Sequence, residues 1–298
     1  MMQFVLNGLV LASTIALGAV GLSMTYNILR FANFAHGEVI AIGAYFSLAV
    51  VTLIGAGVGS IGPIAFGWPL LVSLPISIFV TSMIILLVDA LVFRQLRNKN
   101  ATRITLIMAA FGLSLMGRSL ITLFAGGDPK YYEFSIRKVF ELFPGAKIGP
   151  DELAVMGIAA SAFIGLYFYL SRTIMGKSMR AVAENPVLAR INGIDTRQVI
   201  RWTWIIGTAF ATVGGTFLGH IEQLRPEMGF DLLLLMFAAL ILGGAGNLYG
   251  TVLGAILVGL IDSMSVAIGL SAYRAAVVFM VIMLILLVRP QGLLGEKA

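Results

Sequence analysis

The residues able to do chemistry concentrate in two short stretches of this sequence. The first runs from Asn33 through His36 to Glu38, and the second from Gly176 through Glu184 to Gly193. His36-Gly37-Glu38 reads as the H-x-E of zinc deaminases, where the histidine ligates metal and the glutamate moves protons. That chemistry also needs a P-C-x-x-C partner, and the chain has no cysteine. Its two histidines, His36 and His220, are too few for a tetrahedral zinc site. Neither has a serine or aspartate at a motif spacing, and no G-x-S-x-G elbow is present, so nucleophilic catalysis has no footing. Gly176-Lys177-Ser178 copies the end of a phosphate-binding loop, but position 171, where the loop needs its first glycine, is Ser. Such a loop follows a strand, whereas residues 153–171 form an apolar run. The run is a near miss for a phosphate-binding loop.

The elements that position these residues are set by composition. Of 298 residues, 59% are hydrophobic and 11% charged, against roughly a quarter charged in a soluble domain. Residues 1–29, 39–88 and 232–261 contain no Asp, Glu, Lys or Arg. A helix crossing hydrocarbon needs about 20 mainly apolar residues. Apolar stretches fall near 4–28, 39–59, 70–92, 104–124, 153–171, 202–221, 230–245, 249–268 and 272–288. The expected fold is therefore all-α, a polytopic transmembrane helix bundle of about eight to nine spans in one domain over 1–298. A cleaved signal would carry a basic region before a shorter apolar core. No cation precedes Arg30, so the first stretch reads as a retained span.

Charge orients the bundle. Loop 93–103 carries Arg94, Arg97, Lys99 and Arg103 with no acid, and loop 172–201 carries six cations against Glu184 and Asp195. Both are expected on the cytoplasmic side, with the acid-balanced loops 126–152 and 220–231 outside. The net charge of +6 follows from this topology and implies no nucleic acid. Nine crossings with the N-terminus outside bring Arg289 and Lys297 to the inner side. Segment 230–245 is the weak member, because it is short and runs into Gly243-Gly244-Ala245-Gly246-Asn247. If it is broken or re-entrant rather than a full crossing, eight spans remain.

Small residues recur at four-residue spacing, as in Gly215 and Gly219, or Gly246, Gly250 and Gly254. Such ridges let helices pack closely. Alternatively, Gly243, Gly244 and Asn247 interrupt a helix to line a pathway. Asn33, His36 and Glu38 sit near the inner end of the second span, either capping it or forming part of a gate. Arg118 and Asp262 lie deepest in apolar stretches, where a charge normally faces the bundle interior, and they are candidates to pair with each other. Asp89 and Arg274 lie near span ends, where they are expected to snorkel or cap.

Within loop 172–201, Asn185 suits an N-cap, Pro186 the first helical position, and Gly193 a left-handed stop. This short helix is either a docking element or an amphipathic helix lying on headgroups.

The run Gly176-Lys-Ser-Met-Arg-Ala-Val-Ala-Glu-Asn-Pro-Val-Leu-Ala-Arg-Ile-Asn-Gly-Ile194 resembles the coupling loop of permeases in the branched-chain amino acid ABC transporter family. Asn33-Phe-Ala-His-Gly-Glu38, followed by Ile42-Gly-Ala-Tyr45, is similar to the LivH-type permease rather than its LivM-type partner. Leu242-Gly-Gly-Ala-Gly-Asn-Leu-Tyr-Gly250 resembles the family's glycine-rich segment. The three motifs stand in family order and span nearly the whole chain.

The resemblance implies a passive subunit with no cofactor of its own. A second permease (LivM-type), two cytoplasmic ABC ATPases that bind ATP and Mg, and an extracytoplasmic substrate-binding protein would complete the importer in a bacterial or archaeal cytoplasmic membrane. Gly176, Arg180, Ala181, Ala183, Glu184, Pro186 and Gly193 would form the ATPase-coupling loop. The implied solutes are branched-chain or other hydrophobic amino acids, with urea, short amides and aromatic acids as alternatives. A secondary transporter or channel is the reading from a different class.

Overall fold

A computed structural model of the chain describes residues 1–55, 64, 66–132, 139–143 and 146–295. Lys297 and the expected continuation of the second apolar stretch beyond Gly55 lie outside them. Helix α1 (Met2–Leu29) is followed by α2 (His36–Ile54) and α3 (Trp68–Val88). A π turn over Asp89–Phe93 joins α3 to α4 (Arg94–Asn98), and α5 is Arg103–Ala125. A hairpin of β1 (Phe140–Phe143) and β2 (Ala146–Ile148) precedes α6 (Pro150–Arg172). Two short helices follow, α7 (Ile174–Glu184) and α8 (Pro186–Ile191). The chain then forms α9 (Thr196–Ile221), α10 (Met228–Gly243), α11 (Leu248–Ala267) and, after a 3-10 turn, α12 (Arg274–Val288). Eight of these helices or helical runs are long and apolar enough to cross a membrane, and α10 is shorter.

Local chemistry explains most helix starts. Thr102 caps α5, Asp195 caps α9 and Asn247 caps α11, each accepting a backbone N–H from the first turn. Pro69 and Pro150 occupy first-turn positions in α3 and α6, where the missing N–H costs nothing.

The bundle is built around α1, which is buried almost continuously from Thr14 to Thr25. Helices α9, α10 and α11 pack directly on it. Gly21 meets Gly207, and Gly214 meets Thr14, so α1 and α9 run antiparallel. Gly8 lies against Gly259, which brings α11 equally close. Lipid tails are as apolar as leucine, so such contacts gain from close packing rather than from leaving water.

The segments after α1 and α9 share one plan. Connections 30–35 and 222–227 are equal in length, and each feeds a helix that begins inside the bundle. Gly37, at the start of α2, packs against Gly229, at the start of α10. With α1 and α9 antiparallel, the two helix pairs form an inverted repeat. The weak segment 230–245 forms the shorter helix Met228–Gly243, entered through irregular backbone. Irregular backbone is tolerated at such depth only where protein covers it, and Phe31, Asn33, Ala35 and Leu224 are all buried.

Two charge expectations are corrected. Arg118 and Asp262 do not pair with each other. Arg118 stands 3.6 Å from Glu38, and Asp262 stands 3.6 Å from Arg274. Asp89 does not snorkel, because Arg97 donates to both of its carboxylate oxygens at 2.8 and 3.1 Å. Residues eight apart on an α-helix diverge by about 80°. The π turn between them absorbs one residue and brings them onto one face.

The connections gather at two ends of the bundle. Gln3 exchanges hydrogen bonds with Lys147, and Lys130 pairs with Leu224, so these connections share the end of the bundle that holds Met1. Helices α7 and α8, linker 244–247 and the tail near Leu294 gather at the opposite end.

Candidate functional site

Two groups of predicted residues occupy different depths. The inner group begins where α2 starts. His36 is 1% exposed, and its Nε2 lies 3.0 Å from the Gly18 carbonyl in the middle of α1. Glu38 is 2% exposed and accepts from the Ser114 hydroxyl at 3.2 Å. The Arg118 guanidinium stands 3.6 Å from the same Glu38 oxygen and 4.8 Å from the Phe230 ring centroid of α10. Gly117 lets α5 approach, since a side chain there would press on the Glu38 stem. Asn33 stays in the irregular segment and accepts from the Ala35 backbone N–H at 3.2 Å. The three residues thus act separately, with His36 holding α2 to α1 and Glu38 holding it to α5. A charge in such surroundings is kept only with a counter-charge and hydrogen bonds, and Arg118 and Ser114 supply them.

The second group is at the far end. Thr173 caps α7 by accepting from the Gly176 N–H at 3.0 Å, and Asn185 caps α8 by accepting from Val187 and Leu188. Gly193 ends the second helix with φ 81°. The cap reading of Asn185, Pro186 and Gly193 therefore holds. Helix α7 is not among the expectations drawn from the sequence. Met175, Met179 and Val182 recur at helical spacing and were its available signal.

One face of α7 is fixed. Met179 and Val182 pack with Val20, Met24, Leu166 and Val199 from α1, α6 and α9. Gly176 is buried with its α-carbon against the Tyr169 and Leu170 backbone, which makes the α6–α7 corner tight. Ala181 and Ala183 are half-buried, whereas Arg180 and Glu184 are exposed. On α8, Val187, Leu188 and Ile191 are exposed apolar side chains. The paired short helices thus form an elbow anchored inward and open outward.

A cleft of about 730 Å³ adjoins this elbow, lined by Arg30, Arg180 and Glu184 on one side and Gly246, Asn247 and Leu294 on the other. The glycine-rich linker is mostly occupied by packing. Gly243 meets the Gly250 backbone, and Gly244, with φ 104°, meets Gly295. Asn247 caps α11 and donates to the Leu294 carbonyl at 2.9 Å. Among the described residues no group of three or more His, Asp or Glu side chains is placed to hold a metal ion.

Comparison with known proteins matches this arrangement. Residues 4–288 fit the family described as branched-chain amino acid transport system, permease component. The high-affinity branched-chain amino acid transport system permease protein BraD of Pseudomonas aeruginosa is 31% identical, over 99% of this chain and 96% of that one. Its counterpart LivH of Escherichia coli is 30% identical over the same shares. A probable LivH of Methanocaldococcus jannaschii is 28% identical over 98% and 92%. Among solved structures, a chain of PsaBC from Streptococcus pneumoniae in complex with Fab superposes with a TM-score of 0.51 at 12% identity, covering 97% of this chain and 92% of that one. That likeness concerns the fold alone. A multi-pass apolar bundle, an elbow at one end and full-length matches to permeases agree: the chain belongs to the permease-component family of branched-chain amino acid transport systems.

Proposed function

We propose that this chain is the LivH-type permease subunit of an ATP-driven importer of branched-chain amino acids. It works beside a second permease, two cytoplasmic ATPases that bind ATP and Mg, and an extracytoplasmic binding protein. It sits in the cytoplasmic membrane with its N-terminus outside and loops 93–103 and 172–201 inside. The observation that carries the coupling part is the elbow of α7 and α8. It is packed on α1 and α9 through Met179 and Val182 while Arg180, Glu184 and Leu188 remain exposed.

A partner that grips the exposed side moves α1 and α9 together, because the buried side is already part of their core. Helices packed at backbone contact shift between discrete arrangements rather than deform. Alternating access in this subunit is then a rearrangement of the two inverted helix pairs about the Gly37–Gly229 crossing. The Glu38–Arg118 pair and the His36 hydrogen bond hold α2 in one of those arrangements and serve as a gate. Selectivity for branched, apolar side chains fits a bundle whose interior is mainly aliphatic, with hydroxyls such as Thr208 and Thr212 interspersed.

The test is isolation of the assembled complex. Detergent-solubilised wild type should bring down both ATPases, and Arg180→Glu with Glu184→Arg should lose them while inserting normally. Isolation without any ATPase, together with uptake that follows an ion gradient, would overturn the reading.

A further inference from the structure

Arg30 ends α1 in left-handed backbone, with φ 61°. For a residue with a side chain that conformation costs about 1 kcal/mol or more unless its surroundings hold it. Here the guanidinium does the holding. It donates to the Ala183 carbonyl and, at 3.3 Å, to the Glu184 carbonyl. These belong to the last turn of α7, whose carbonyls lack intrahelical partners and carry the negative end of the helix dipole. One cation thus closes α1 and caps α7.

On its other side, Arg30 leads into a short stretch gripped along its length. Phe31 is 2% exposed and lies 5.3 Å, ring to ring, from Phe93, which itself stacks on Trp204 of α9 at 5.6 Å. Asn33 and Ala35 are buried, His36 is bonded to α1, and Gly37 is pressed on Gly229. Slack is absent between Arg30 and the α2–α10 crossing.

The geometry points to Arg30 as the positioning residue that carries movement of α7 to the start of α2, and so to the Gly37–Gly229 crossing. This rests on the reading of α7 as the docking helix for an ATPase. One guanidinium nitrogen, Nη2, donates to both adjacent carbonyls, so a lysine ammonium, a point charge on a flexible stem that lacks the guanidinium's fixed plane, should reproduce the contact only in part. The route is physical, since both ends bear on elements with alternative packings.

The experiment uses the whole transporter in proteoliposomes and measures leucine accumulated per ATP hydrolysed. Arg30→Gln should lower that ratio by about tenfold, the factor that one lost charge-assisted hydrogen bond supplies, while ATPase assembly and basal hydrolysis persist. Arg30→Lys should recover part of it. Because the chain has no cysteine, spin labels at Lys177→Cys and Ile54→Cys report the α7-to-α2 distance. That distance should change with ATP in the Arg30 protein and stay fixed in Arg30→Gln. A wild-type ratio in Arg30→Gln, or an undiminished ATP-dependent distance change, overturns the inference. If Arg30→Gln fails to assemble, Arg30→Lys scored per assembled complex must still fall below wild type, and a wild-type ratio there overturns it equally. A wild-type transporter with no ATP-dependent uptake instead brings down the ATP-driven reading, and the role of Arg30 with it.

Discussion

Gly37 and Gly229 face each other where α2 and α10 begin, and each carbonyl fills the space that a β-carbon on the other would need. The contact is reciprocal, as an axis relating two inverted halves requires. Each glycine belongs to a helix entered through an irregular, partly buried connection, and the crossing is fixed by backbone on both sides.

Alanine at Gly37 or Gly229 should therefore destabilise the permease by about 1–3 kcal/mol, the usual cost of overpacking a site that cannot relax. Thermal unfolding in detergent should show a lower midpoint for both variants. Gly112→Ala on α5, where a β-carbon meets nothing within 4 Å, should match or slightly exceed wild type through helix propensity. Equal losses at all three positions would remove the special status of the crossing.

The charge pairing makes a second prediction. Arg118→Met leaves the Glu38 carboxylate buried without its counter-charge and should cost about 3 kcal/mol. Arg118→Met combined with Glu38→Leu should lose less than the single change, which a double-mutant cycle reads directly. The same cycle between Arg118 and Asp262 should be additive, since each has a different partner.

The elbow supplies a third. Asn185 accepts two N–H groups at the start of α8, so Asn185→Ala should weaken that turn by about 1 kcal/mol. Amide exchange over Val187–Ile191 should quicken, with exchange in α1 unchanged. Gly176→Val, pressed on the Tyr169–Leu170 backbone, should displace α7 and release the ATPase even though its docking side chains are intact. Retention of the ATPase by Gly176→Val would show that the α6–α7 corner does not set the position of α7.

How far the sequence disclosed this structure follows the range of each interaction. The α8 boundaries were legible because Asn185, Pro186 and Gly193 act on their own backbone. The long apolar helices were legible because hydrocarbon rejects charge over long runs. The inverted repeat was not, because its signature is two equal connections and one glycine at the start of the helix after each, while the surrounding side chains differ. Asn33-Phe-Ala-His-Gly and Arg225-Pro-Glu-Met-Gly share little but the final glycine. Partners of Glu38, Asp89 and Asp262 were equally hidden. Two lie on other helices, and the third depends on a π turn that no local motif announces. The contact of Arg30 with α7 was hidden as well, because 153 residues separate it from Ala183.

The measurement that bears most directly on the central claim is uptake by proteoliposomes containing this chain with its second permease and ATPases. Leucine and the binding protein are supplied outside, and ATP is enclosed. Accumulation should require enclosed ATP, survive collapse of ion gradients, and disappear in Arg180→Ala with Glu184→Ala although both chains insert equally. Uptake that proceeds without ATP and stops when the ion gradient is collapsed would contradict the account.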